Sequence, residues 1–228
     1  MTANSTIRAV GLGVGVDVFI QAYQYAFNNL DTLLKELQQH LLLVSVPLAC
    51  GLLLGLPLGL WSARSRSAST VLINGFNALR VIPSLAVLFL LIPYSGLGFQ
   101  SAAIALTLLA MPPILISTDV AFRTIDPMIR EAAFGMGMDA RQVLRLVEVP
   151  LALPVIIAGI KTATVEVIAS ATLAAFIGAG GLGSFIVLGF SLYDNAILLV
   201  GAIPVAILAL VAEVMLSRLQ KSLQPPLR

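Results

Sequence analysis

The sequence is poor in the residues that carry most protein chemistry. Its 228 residues include one cysteine, Cys50, and one histidine, His40. A single cysteine excludes an internal disulfide and every cysteine-based metal cluster, and in its apolar run it packs. A lone histidine, placed here at the lipid boundary before the first apolar run, supports neither a metal site nor a Ser-His-acid arrangement. Charge is scarce too: Asp, Glu, Lys and Arg make up 11% of the chain, against roughly 25% in soluble domains. No G-x-x-x-x-G-K-[ST] loop occurs, so the chain is not expected to hydrolyse ATP. No clean small-residue cleavage site follows Arg8 and its glycine-rich run, so the N-terminus does not read as a cleavable signal.

What is present is apolar length. Hydrophobic residues make up 59% and the mean hydropathy is +1.01. A core of this size cannot hide so much apolar surface from water, which makes lipid the expected solvent. About 20 apolar residues cross a bilayer as helix. Five runs qualify: Leu41–Trp61, Thr70–Pro93, Ser101–Thr118, Pro150 to Ala175, and Asn195–Ala212. They are too long and too weakly alternating for barrel strands. The predicted fold is an all-α integral membrane protein with five core transmembrane helices. Phe19, Ala22, Tyr23, Ala26, Leu30, Leu33, Leu34 and Leu37 recur at helical spacing before them. Residues 1–38 thus read as an N-terminal amphipathic, interfacial segment, with a sixth span over residues 9–27 as the alternative. Residues 39–217 form the transmembrane domain and 218–228 a short tail.

Positive residues set the orientation. With the N-terminus outside, Arg64, Arg66, Arg123, Arg130, Arg141, Arg145, Arg218, Lys221 and Arg228 are cytoplasmic, and only Arg8 and Lys35 lie outside. The charged stretch "DPMIREAAFGMGMDARQVLRLVEVP", residues 126–150, then projects into the cytoplasm between spans three and four. Asp126–Pro127 is a helix start. Gly135 and Gly137 break the helix, and Asp139 with Gln142 restarts it as a capping box. Pro150 closes the unit. Ile129, Phe134, Met136 and Met138 are exposed beside charges, which points to a protein partner.

The stretch "EAAFGMGMDARQVLRLVEVPLALPVIIAG" resembles the EAA motif of ABC transporter permeases, on Glu131, Ala132, Ala133, Gly135, Leu153 and Pro154. The five-span plan resembles the smaller type I permeases. The resemblance implies that residues 126–149 are a cytoplasmic coupling helix seated in a groove of a separate ATPase, the subunit that holds ATP and Mg. Glu131 would meet a base there, and Arg130, Arg141 and Arg145 acids, with Gly135 and Gly137 shaping the knob. It also implies an external, periplasmic substrate-binding protein and a second permease copy, as homo- or heterodimer, in a bacterial cytoplasmic (inner) membrane. Nucleic acid is not an expected partner, and no cofactor is expected in this chain. "RVIPSLAVLFLLIP", "AGIKTATVEVIASATLAAFIGAGGLG" and "LVGAIPVAILALVAEVMLSRLQ" resemble osmoprotectant permeases, whose cargo is glycine betaine, choline or carnitine. Methionine permeases share the plan and remain an alternative. A stand-alone secondary transporter or a membrane scaffold fits less well, lacking relays in the first case and leaving the paired helices unexplained in the second.

Intramembrane polar residues usually face a bundle interior or a water-filled path. Glu166, Asn77, Ser84, Thr162 and Thr164 are the candidates for a translocation path, with contacts between helices as the plainer use of each. Lys161 sits near a span end, where it snorkels. Pro83 and Met111-Pro112-Pro113 are expected to kink or break spans two and three. "GAGGLG" formally fits G-x-G-x-x-G, but it follows a membrane span rather than a strand. Gly180 and Gly181 there read as a span end and gate, packed near the outer face.

Overall fold

The computed structural model describes residues 17–224, and every regular element among them is helical. Residues 17–28 form α1. Asn29 interrupts the helix with φ −120° and ψ 33°, and α2 then runs from Leu30 to Arg64. Its 35 residues rise about 52 Å, well beyond a hydrocarbon core of ~30 Å. The helix runs through residues 38–39 without a break. Leu30 to Val46 holds neither glycine nor proline and seven of its residues are Leu, so nothing local stops the helix. The sixth-span alternative, residues 9–27, lies partly outside the described residues, as do Arg8 and Arg228.

Helices α3 (Arg66–Val81) and α4 (Ser84–Ser95) are two halves of one apolar segment, bent by 100°. The break is chemical. Pro83 offers no N–H and pushes the residue before it out of helix; Ile82 is extended, with ψ 126°. Helix α5 (Phe99–Arg123) behaves otherwise and continues unbroken through Pro112 and Pro113. Both prolines are buried, and neighbouring helices hold the backbone that local chemistry would release.

Helix α6 (Pro127–Gly135) and the single turn α7 (Ala140–Gln142) follow. Then α7 passes through a wide turn, Val143–Glu148, into α8 (Val149–Leu173). Within it the Val149 N–H donates to the Leu144 carbonyl, five residues back. Such a turn makes room for Pro150, whose ring crowds the carbonyl four residues earlier. Pro150 therefore does not close the charged unit. Residues Ala140–Ile177 form one continuous 38-residue rod. A tight turn at Ala174–Ile177 ends it, and α9 (Gly183–Leu192) and α10 (Asn195–Leu223) complete the chain.

Among the described residues, four helical segments are long and apolar enough to cross a membrane, and the bent α3–α4 pair brings the number to five. Helix α5 is the hub: 61% of its most apolar window is buried, against 17% for α10. Helix α2 meets it along Pro47, Gly51, Gly55 and Gly59, four residues apart. A methyl at Gly59 would stand 2.6 Å from Thr118 Cβ, and one at Gly51 3.0 Å from Ala110 Cβ. This is small-residue packing of the kind membrane helices use, with backbones brought close because lipid offers no hydrophobic drive between helices. Leu43, Leu88, Leu106, Ile114, Val167 and Ile177 fill the centre. Leu53, Val71, Leu90 and Leu210 stay exposed on the outside, where lipid suits them. Helix α1 packs Ala22 against Phe185, Ala196, Ile197 and Val200.

Candidate functional site

The α3–α4 break opens a cavity of about 300 Å³ between α3–α4, α5 and α8. Arg80, Pro83 and Ser84 come to it from the break, Pro112 from α5, and Glu166 and Ser170 from α8. Pro83, Ser84, Pro112 and Glu166 were each candidates from sequence, and the fold brings them together. Asn77 is exposed on α3 and does not line this cavity. Thr162 and Thr164 donate their hydroxyls to their own helix, to the carbonyls of Ala158 at 3.1 Å and Ile160 at 2.8 Å. Pro113 turns instead toward α8, where a methyl at Gly159 would stand 2.7 Å from its carbonyl oxygen.

At the end of the bundle where α2 and α5 finish, a polar cluster ties four elements. The Glu148 carboxyl, 1% exposed, pairs with Arg64 from α2 and with Arg130 Nε from α6 at 2.6 Å. Arg130 Nη2 donates to the Phe122 carbonyl of α5 at 2.6 Å. Beside this clasp, Ser62 Oγ donates to Asp119 Oδ1 at 2.6 Å, Arg123 Nε pairs with Asp119 Oδ2 at 2.9 Å, and Arg123 Nη2 donates to the Ser62 carbonyl at 2.6 Å. A buried carboxylate flanked by two guanidiniums costs little only while both stay. The clasp therefore fixes the α6 knob to the ends of α2, α5 and α8. Arg130, read from sequence as facing a partner's acids, has its donors turned inward.

The knob itself is compact. Asp126 accepts from the Met128 N–H at 2.9 Å and caps α6. Ala133 is buried beneath it, while Ala132 and Glu131 face out. Gly137 turns the chain with φ +86°, where a side chain is strained; Gly135 is simply the last residue of α6. Asp139 and Gln142 form the full capping box. Met128, Phe134 and Met136 are exposed, as are Arg141 and Arg145, and none of the four ion pairs among the described residues includes Glu131, Arg141 or Arg145.

At the opposite end of α2, the glycine loop after α8 lies on Gln39 and His40. Gln39 Nε2 donates to the Ala179 carbonyl at 3.1 Å. A methyl at Gly180 would meet Gln39, and one at Gly181 would meet His40. His40 is fully buried under this loop rather than at a lipid boundary. Lys161 does not snorkel. It pairs with Glu213 at 3.0 Å and donates to Ser217 Oγ at 3.2 Å, joining α8 to α10.

Sequence reasoning missed Glu148, Arg64, Asp119 and Arg80. The signal for Glu148 was present: one acid within the apolar stripe Val143, Leu144, Val147.

Residues 55–227 match the family described as "Binding-protein-dependent transport system inner membrane component". The chain is 40% identical to a carnitine transport permease of Listeria monocytogenes, over 92% of this chain and 95% of that one. It is 38% identical to a choline transport system permease of Bacillus subtilis, over 89% and 93%. It is also 38% identical to an osmoprotectant import permease of Salmonella typhimurium, over 88% and 96%. Its fold is similar to a chain of the inward-facing MetNI methionine ABC transporter, with TM-score 0.75 and 23% identity over 86% of this chain and 98% of that one. The chain belongs to the binding-protein-dependent transport system inner membrane components, a family of ABC transporter permeases.

Proposed function

We propose that this permease carries an osmoprotectant, such as glycine betaine, choline or carnitine, across a bacterial cytoplasmic membrane. An external binding protein delivers the cargo, and a separate ATPase, which holds ATP and Mg, drives the step. Two permease copies form the path. The observation that carries the coupling role is the exposed α6 knob, with Met128, Phe134, Met136 and Glu131 outward, locked from behind by the buried Glu148 clasp. Apolar side chains beside one free acid suit a protein groove. The clasp ties the knob through Glu148 to the continuous segment Ala140–Ile177, so a push on the knob is passed to the helix that carries Glu166. This is rigid-body switching. The names of the relatives support the cargo class. The methionine reading rests on a likeness at 23% identity, which speaks to fold alone.

The orientation follows the positive residues, with the α6 end cytoplasmic and the N-terminus outside. Residues 17–38 belong to the outer side, α1 lying against α10 there.

Uptake of labelled glycine betaine into proteoliposomes tests this. Uptake is expected to require the ATPase subunit and to be lost with Glu131→Arg or with residues 129–145 replaced by a flexible linker. Uptake that needs no ATPase, or ignores both changes, would sink the coupling role.

A further inference from the structure

We propose that the cavity at the α3–α4 break reads cargo by its charges, Glu166 meeting a quaternary ammonium and Arg80 a carboxylate. The inference rests on the importer reading above and adds to it the side chains that sort one cargo from another.

An ionisable group inside a membrane is costly, and such groups pair with one another or serve a path. Lys161 is answered by Glu213. Arg80 and Glu166 line one cavity of about 300 Å³, yet neither belongs to any of the four ion pairs among the described residues. Opposite charges that line one cavity without pairing, Arg80 exposed and Glu166 half-buried, suit a ligand that carries both. Glu166 is half-buried, and low dielectric strengthens its attraction for a cation that cannot donate a hydrogen bond. No aromatic side chain lines the cavity among the described residues. From this chain the cationic end therefore meets the carboxylate rather than an aromatic cage, with Leu109, Pro83 and Pro112 as apolar walls for its methyl groups. The guanidinium fork of Arg80 accommodates a carboxylate with two parallel hydrogen bonds, and the Ser84 and Ser170 hydroxyls add donors beside it.

The two ends give separate consequences. Glycine betaine and carnitine carry both an ammonium and a carboxylate, whereas choline carries the ammonium alone. Arg80 should matter to the first two and little to the third; Glu166 should matter to all.

The test uses the permease purified with its ATPase and binding protein, reconstituted in liposomes, with uptake of labelled glycine betaine, carnitine and choline measured at matched concentrations. With Arg80→Gln, uptake of glycine betaine and carnitine is expected to fall about tenfold relative to choline, the loss of one charge-assisted contact. Retained choline uptake then shows that the variant is folded, and Arg80→Lys is expected to recover part of the loss. With Glu166→Gln all three fall about tenfold, and Glu166→Asp recovers part. If Arg80→Gln lowers all three cargoes equally, or none, or if Glu166→Gln leaves uptake unchanged, the charge-reading role is wrong while the importer reading stands. If the wild-type complex takes up none of the three, the importer reading fails and this inference fails with it.

Discussion

At the residue scale, Glu148 is the side chain on which the charged end depends. Its carboxylate is buried and faces two guanidiniums, one of which also holds the end of α5. Glu148→Gln removes the negative charge and leaves Arg64 and Arg130 repelling each other. Breaking a buried pair from one side costs about 3 kcal/mol or more. The melting temperature in detergent is expected to drop clearly, with ATP hydrolysis persisting but no longer tied to transport. Glu131→Gln, one exposed acid away on the same knob, should leave melting unchanged and weaken retention of the ATPase subunit. Equal melting of both variants would show that the clasp holds nothing. The contrast also marks what a sequence shows. Both glutamates stand in one charged stretch; the apolar stripe around Glu148 marks it as the inward one, but nothing in the pattern names Arg64, 84 positions earlier, as its partner. That pairing is tertiary. By contrast, Asp126, Asp139 and Gln142 act on backbone within three residues, so the sequence alone was enough to place them.

At the scale of elements, the two glycines of the knob differ. The sequence treats Gly135 and Gly137 alike, as breakers. In the structure Gly135 is helical with open space around it, whereas Gly137 has φ +86°. Gly137→Ala therefore costs roughly 1–2 kcal/mol of left-handed strain, tilts the knob against α7 and is expected to reduce co-purification of the ATPase. Gly135→Ala adds a good helix former at no steric cost and should leave assembly intact. If both variants retain the ATPase equally, the glycine turn is not what shapes the docking surface. Pro83 breaks its segment because few side chains pack over the bend, and Val81, Ile82 and Pro83 remain exposed. Pro112 and Pro113 do not, because α2 and α8 enclose them; Pro150 is absorbed by a wider turn. Local chemistry was legible at all of these positions, while the packing that decided each outcome was not. The seam of Gly51, Gly55 and Gly59 was legible in principle, as a four-residue period of the smallest side chain.

At the scale of the whole molecule, the fold sharpens the orientation argument. Arg64 closes α2 and Arg66 opens α3, Arg123 lies at the end of α5, and Arg130, Arg141 and Arg145 lie between α5 and α8. The clasp contacts gather these positions at one end of the bundle. The other end carries the glycine loop and the α9–α10 connection with Tyr193, 94% exposed, followed by Asp194. Positive charge near span ends stays on the cytoplasmic side, so the clasp end should face the cytoplasm and Tyr193 the outside. The chain's one cysteine makes this directly measurable. In a Cys50→Ala background, Tyr193→Cys is expected to react with a membrane-impermeant maleimide in intact cells or right-side-out vesicles. Met136→Cys, exposed on the knob, should react only in inside-out vesicles, and less once the ATPase is bound. Labelling at position 193 confined to inside-out vesicles would reverse the orientation, and with it the side from which the ATPase can reach α6.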